Sequence, residues 1–158
     1  MNNDAKTTVK EEQLVVFELD KEEFGVPILE VKEIVKNIEI TPVPDSPPFI
    51  LGVINLRGKI APVMDMEKRF DLVRENKVVA EHIIMYEDET GALFGIQVDR
   101  VVGVLKVESE SIKPTPKVVT SKVAGDYIKG VVVIDERVVL ILDLPKILNK
   151  ETVEIKTK

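Results

Sequence analysis

Few side chains in this sequence could do chemistry. There is one histidine, no cysteine and no tryptophan, and the four serines lie beside proline, glutamate or lysine. His82 stands inside the apolar run Glu81–Tyr86, and a histidine in a strand is ordinarily structural, not a general base. No Gly-x-Ser-x-Gly elbow, Gly-x-Gly-x-x-Gly or P-loop occurs, so neither a strained nucleophile nor a phosphate cradle is encoded. Without cysteine there is no thiolate site, and one imidazole cannot make a multi-histidine metal site. Glu87-Asp88-Glu89 gathers three carboxylates but runs into Thr90-Gly91, which reads as a solvated hairpin turn and not as a cation site. Asp65 and Asp143 could be imagined as an acid pair. Each ends a strand just before a short helical stretch, so capping is the simpler role. These residues point to a protein without an enzymatic reaction, metal or cofactor. Arg57-Gly58 is different in kind: a glycine at a two-residue turn permits positive φ and directs the guanidinium outward. Such an arginine suits docking of a partner's carboxylate or backbone carbonyls, although a solvated turn arginine has the same local pattern.

The elements that must position these residues are mostly strands. The 158 residues are 44% hydrophobic, with 26 valines and 16 isoleucines against 12 leucines, a β-branched excess that favours pleated structure and excludes general disorder. A net charge of −6 and only seven aromatics argue against nucleic acid as a partner. No apolar run approaches the ~18 residues of a membrane span. Residues 1–12 read as a flexible leader without an apolar signal core and 150–158 as a frayed tail, with the cytoplasm as default location. Strands are expected at Leu14–Leu19, Phe24–Val26, Leu51–Leu56, Lys59–Asp65 and Glu81–Tyr86. Further strands are expected at Leu93–Val98, Val101–Val107, Ile128–Ile134 and Arg137–Leu142. Ile28, Val31, Ile34 and Val35 have helical spacing, which predicts a short amphipathic helix. Short helices are also expected at Met66–Phe70 and Leu144–Leu148. The four prolines of Thr41–Pro48 exclude a central strand there.

An internal repeat organises these elements. Phe24-Gly25-Val26 returns as Phe94-Gly95-Ile96, and Ile28, Val31 and Val35 meet Val98, Val101 and Leu105 at the same offset of 70. Ile40-Thr41-Pro42 answers Ile112-Lys113-Pro114 at 72, while Gly52, Ile60, Val63 and Asp65 answer Gly130, Val138, Ile141 and Asp143 at 78. The residues 13–149 therefore read as one domain of two lobes, roughly 13–76 and 77–149, each of about five strands. Each lobe is marginal alone, so the two should share a packed seam. Short antiparallel strands around a small core imply closed or nearly closed barrels, an all-β fold with strand exchange possible near Lys77. Positions serving only the fold should agree between copies, as Gly52/Gly130 and Asp65/Asp143 do. The hairpin tips disagree: Arg57-Gly58 becomes Asp135-Glu136.

Phe24-Gly25-Val26, the segment Ile28–Val35 and the run Gly52-Val53-Ile54-Asn55-Leu56-Arg57-Gly58-Lys59 through Asp65 closely resemble the CheW family of chemotaxis coupling proteins. So do Phe94–Val101 and Ile112-Lys113-Pro114. The resemblance covers Gln13 to Asn149. It implies two pseudo-symmetric five-stranded SH3-like barrels, no catalysis and no cofactor. The partners it implies are chemoreceptor (methyl-accepting chemotaxis protein) cytoplasmic tips and the regulatory domain of the histidine kinase CheA. It further implies a cytoplasmic protein recruited to membrane-associated receptor arrays without inserting in the membrane, a monomer in isolation and an array component when assembled. Residue by residue, the receptor-contacting groove would include Val31, Glu33, Arg57, Val101 and Val104, and Ile28 and Gly52 would contact the kinase. A valine in such a groove has the same burial signature as a core valine. Two alternatives stand beside this reading: a two-barrel module related to the kinase regulatory domain, and a purely structural two-barrel oligomer.

Overall fold

The computed structural model describes residues 10–36, 38–69, 80, 82–114 and 127–148. The strands are β1 (Glu11–Leu19), β2 (Glu22–Pro27), β3 (Val31–Val35), β4 (Ile50–Leu56), β5 (Lys59–Asp65), β6 (His82–Glu87), β7 (Leu93–Val98), β8 (Arg100–Glu108), β9 (Ile128–Ile134) and β10 (Arg137–Leu142). Among the described residues two one-turn helices, α1 (Met66–Arg69) and α2 (Leu144–Ile147), follow the two strands that lead into aspartates, and 3-10 turns occupy Ile28–Glu30 and Ser109–Ser111. β1 starts at Glu11, inside the segment expected to be a leader. Residues 1–9, the tail 150–158, Phe70, the Lys77 boundary and Thr115-Pro116 lie outside the described residues.

The strands form two five-stranded sheets, ordered β8-β1-β2-β10-β9 in the first barrel and β3-β6-β7-β5-β4 in the second. Replacing each strand of one sheet by its counterpart five strands away produces the other. Each barrel thus takes a hairpin from one copy of the repeat and three strands from the other copy. The sheets accordingly do not follow the sequence halves 13–76 and 77–149. The cause is the length of the crossovers: one residue, Asp99, separates β7 from β8, and a three-residue 3-10 turn separates β2 from β3. Asp99 alone cannot make the two-residue reversal an antiparallel hairpin requires, so the chain runs on into the neighbouring sheet. The same parallel pairing closes both middles, Ile141 opposite Gly25 and Val63 opposite Gly95. Outside the strands, Thr41 bridges Val53 and Lys113 bridges Val131, so the chain leaving β3 and β8 closes each sheet toward a barrel.

The apolar run Ile28–Val35 is not a helix. After the 3-10 turn it is the edge strand β3, antiparallel to β6, with a bulge that pairs Val31 with Tyr86 and Glu33 with Met85. The bulge inserts Lys32 into a period-2 strand, so Val31 and Ile34 share a face although they are three residues apart. That spacing imitates a helix in sequence. β-branched side chains and pairing with β6 decide for the strand.

Alternation sorts the core into three clusters. Leu14, Val16, Val132, Val139 and Ile141 line the inside of the first barrel. Ile54, Ala61, Val63, Ile83 and Met85 line the inside of the second. The third cluster lies between the sheets: Val15, Phe17, Phe24 and Leu140 from one, Met64, Ile84, Phe94 and Ile96 from the other. Among the described residues it holds 19 buried side chains against seven and six inside the barrels. Most of the stabilising burial, at about 1.5–3 kcal/mol per large side chain, is therefore shared, and the barrels should unfold together. Matched ring pairs anchor it, Phe17 on Phe24 at 6.0 Å and Tyr86 near Phe94 at 6.4 Å between centroids.

Candidate functional site

Both hairpins whose tips differ in charge use the same backbone. Arg57 and Gly58 have φ of 52° and 86°, Asp135 and Glu136 of 47° and 71°, the two positive values a type I′ turn needs. In the first tip Asn55 Oδ1 accepts the Gly58 N–H at 3.0 Å, which fixes the turn from below. The Arg57 side chain is 70% exposed and donates to the carboxylate of Glu33 on β3. Lys32 and Lys59 both lie near Glu87, at 3.4 and 3.8 Å. Together with Leu56 and Leu93 these groups surround a depression of about 140 Å³ at the mouth of the second barrel. In the other copy, Glu33 corresponds to Gly103 and Arg57 to Asp135, so both members of the ion pair are replaced.

The apolar candidates occupy a different face. Val31 is half-buried and packs on the cluster between the sheets, as does Val101 at its matched position. β8 carries the counterpart of the β3 bulge: Phe17 pairs with Val101 and Val16 with Gly103, skipping Val102. Val104 then falls opposite Val15, whose side chain belongs to the inter-sheet cluster, so Val101 and Val104 share the seam face of β8. Val104 is 58% exposed there. Its mate on β3 is Ile34, a residue that sequence reasoning does not single out as a contact. Ile34, opposite Ile84 and 38% exposed, stands at the offset of 70 from Val104, and that offset is the signal that could have found it. The five receptor candidates therefore form two groups: Val31, Val101 and Val104 on the seam faces of the two edge strands β3 and β8, and Glu33 with Arg57 at a barrel mouth.

The two kinase candidates differ. Ile28 is half-buried in the crossover turn and packs on the inter-sheet cluster, next to Leu29, which is 96% exposed. Gly52 is buried at φ 154°, and a Cβ there would collide with the Thr41 carbonyl. Its glycine is required by the bridge that closes the barrel, which makes it a fold position. Gly130 is the milder equivalent: a Cβ there would stand 2.7 Å from Ile112 Cγ2.

Asp65, Asp143, Asp88 and His82 each have a hydrogen-bond partner within the fold. Asp65 Oδ1 accepts from the Glu67 and Lys68 amides at 3.0 and 3.4 Å, and Asp143 Oδ1 from the Lys146 amide at 3.2 Å. Both are helix N-caps. Asp88 Oδ1 accepts the Thr90 and Ala92 amides and the Thr90 hydroxyl, so the acidic cluster is a turn. His82 Nδ1 accepts the Val101 N–H at 3.3 Å, tying β6 to β8 across the barrels. Among the described residues no three His, Cys, Asp or Glu side chains are placed to hold a metal ion. No helix among them is long and apolar enough to cross a membrane.

Two SH3-like barrels sharing one core are the architecture expected of a CheW-like domain, and residues 13–152 match the family described by that name. The chemotaxis protein CheW of Treponema pallidum is 32% identical over 148 residues, covering 90% of this chain and 85% of that protein. The CheW of Thermotoga maritima is 32% identical over 146 residues, covering 92% and 93%. The crystal structure of the scaffolding protein CheW from Thermoanaerobacter tengcongensis has a TM-score of 0.77 and 36% identity, covering 87% of this chain and 88% of that one. This chain belongs to the CheW family of chemotaxis scaffold proteins.

Proposed function

We propose that the chain is a non-enzymatic adaptor that couples the cytoplasmic tips of chemoreceptors to the regulatory domain of the histidine kinase CheA, in cytoplasmic arrays beneath the membrane. The observation that carries this reading is the Arg57–Glu33 pair on a rigid tip, beside an edge strand whose Val31 and Ile34 face the seam. A receptor tip is a helical hairpin, and a helix docks by laying apolar side chains on such a face. In this reading Val31, Val101 and Val104 supply contact area. Arg57 supplies orientation: Glu33 pre-sets its guanidinium and leaves further N–H donors for a receptor carboxylate or carbonyl. Ile28 offers the kinase an apolar contact beside the exposed Leu29, while Gly52 acts through the shape of the closed barrel.

The test is capture of the chain by a receptor cytoplasmic fragment and by the kinase regulatory domain, separately and together. Retention of both in one complex is the expected result. Binding to neither overturns the reading, and binding to the kinase domain alone would leave a regulatory module in its place.

A further inference from the structure

A strand of each barrel is held by the same ring. His82, the first residue of β6, lies opposite Val98 on β7, and its Nδ1 accepts the Val101 N–H of β8 at 3.3 Å. β6 belongs to the second barrel and β8 to the first, so this part-buried hydrogen bond crosses the seam. Val101 sits beside the β8 bulge and packs on the inter-sheet cluster. A backbone N–H only donates, so the bond requires an imidazole with Nδ1 unprotonated. Imidazolium has two donors and no acceptor. Protonation therefore sets N–H against N–H and takes this acceptor from the Val101 amide. The matched residue in the other copy is Gln13, three residues before Val16 as His82 is three before Met85, the partners of Gly25 and Gly95. An amide side chain does not titrate, so the ring gives one barrel a property its mate lacks. Of the charged groups around it, Arg100 of β8 is paired with Glu18 of β1, and Asp99 accepts the Asp20 amide. Lys36 stands one residue beyond the Val35–Ile83 pair that joins β3 to β6, and Glu81 precedes the ring in the sequence. From β7 the residues alongside, Gln97 and Val98, do not titrate.

We propose that His82 is a proton-operated latch between the barrels: the neutral ring holds the start of β8 in place for receptor docking, and protonation releases it. The docking half rests on the coupling reading, because Val101 is one of the groove candidates and Val104 follows it on the same face of β8. With one histidine and no cysteine, the chain has one side chain whose ordinary titration falls between about pH 5 and 8. The latch is closed at neutral pH and opens as the solution is acidified.

The experiment follows the full chain by NMR from about pH 5 to about pH 8, reading the ring C–H resonance of the one histidine and the Val101 amide. Capture by a receptor cytoplasmic fragment is measured at about pH 5.5 and about pH 7.5, on either side of an ordinary histidine titration. Two variants accompany the wild type. In His82→Asn the side-chain Oδ1 can stand where Nδ1 stands and accepts at every pH; His82→Phe keeps a ring and has no acceptor. The Val101 amide of the wild type is expected to shift with the same midpoint as the ring, and that of His82→Asn to stay constant. Capture by the wild type relative to His82→Asn should fall about three- to tenfold from the higher pH to the lower, the fold-change of one net hydrogen bond. His82→Phe should show the acid level at both. Division by His82→Asn removes titrations elsewhere, including Glu30 at the other crossover and the receptor fragment itself. A Val101 amide that does not follow the ring overturns the proposal, as does a capture ratio that is the same at both pH values. The amide titration of the wild type needs no variant, so it decides even where a variant fails to fold. Absence of capture by all three proteins overturns the coupling reading instead, and the amide titration then decides the latch by itself.

Discussion

The two barrels share a topology and a register but differ at many matched positions, three of which mark the candidate site and the crossover. Glu33 answers Gly103, Arg57 answers Asp135, and Leu29 answers Asp99. The last pair is the clearest. Asp99 is 5% exposed and its Oδ2 accepts the Asp20 N–H at 2.8 Å, fixing the β1–β2 turn, while Leu29 is 96% exposed. Where the copies agree, at Gly52/Gly130, Asp65/Asp143 and Phe24/Phe94, the side chain or its absence serves closure, capping or core. Duplication followed by divergence has left fold positions alike and surface positions free to acquire partners.

The largest expected effect tests whether barrel closure is equally tight on the two sides. Gly52→Ala places a methyl group against backbone at a positive φ, and nothing rigid can yield without losing the Thr41–Val53 bridge, whose two hydrogen bonds are 2.8 Å each. The expected loss is about 3–5 kcal/mol in urea denaturation. Gly130→Ala meets the Ile112 Cγ2 methyl at 2.7 Å and backbone only at 3.2 Å, the Lys113 carbonyl, so a side chain must shift before backbone does and the cost should be smaller, about 1–3 kcal/mol. Equal losses would show that the two closures are equivalent and that the tighter approach at Thr41 has no energetic consequence.

Next come the tips. Arg57→Ala should weaken capture by a receptor fragment about tenfold, or about 1.4 kcal/mol, with little change in melting temperature, because an exposed ion pair contributes about 0–1 kcal/mol. Asp135→Ala, at the same turn position in the other barrel, should leave receptor capture unchanged. A drop in melting temperature with intact receptor binding in Arg57→Ala would make the Glu33 pair structural instead.

The caps should sit below that. Asp65→Ala and Asp143→Ala each remove the acceptor of a helix-start amide and should cost about 1 kcal/mol, with the two values alike in thermal melts. These caps are legible in sequence because an aspartate between an apolar run and a short helical segment has one local use. The strand set, the shared seam and the repeat are legible for the same reason: period 2, turn residues and a nearly constant offset are local signals. The way the halves exchange strands is not legible, because it follows from crossovers too short to reverse, and the length of a crossover has meaning only once both flanking strands are bounded. β3 carries the sequence signature of a helix because its bulge shifts a period of 2 into a spacing of three. The split of the receptor candidates into a seam group and a mouth group depends on that bulge as well. So does the seam position of Ile34, which a helical reading hides.

The smallest effect concerns the crossovers themselves. Arg100 and Glu30 occupy matched positions. Arg100 forms a two-pronged pair with Glu18, at 2.9 and 3.1 Å, whereas Glu30 faces Lys129 at 3.8 Å and keeps Oε1 buried without a hydrogen-bond partner. Burial raises the Glu30 carboxyl above the usual carboxylate range. Lys129 opposes the shift, and Asp143 and Glu12 add to it. A carboxyl raised on folding contributes stability that is fully present below its unfolded pKa and is lost as pH rises through the folded one. At neutral pH the ionised group is therefore a burden on the folded state. Glu30→Gln should raise the melting temperature slightly at about pH 7, with the difference shrinking toward about pH 4 as the wild-type carboxyl protonates. The opposite sign at neutral pH would mean that the Lys129 attraction outweighs burial. The Glu30 crossover would then be held by its ion pair in the same way as the Arg100 crossover, and the contrast between the two would disappear.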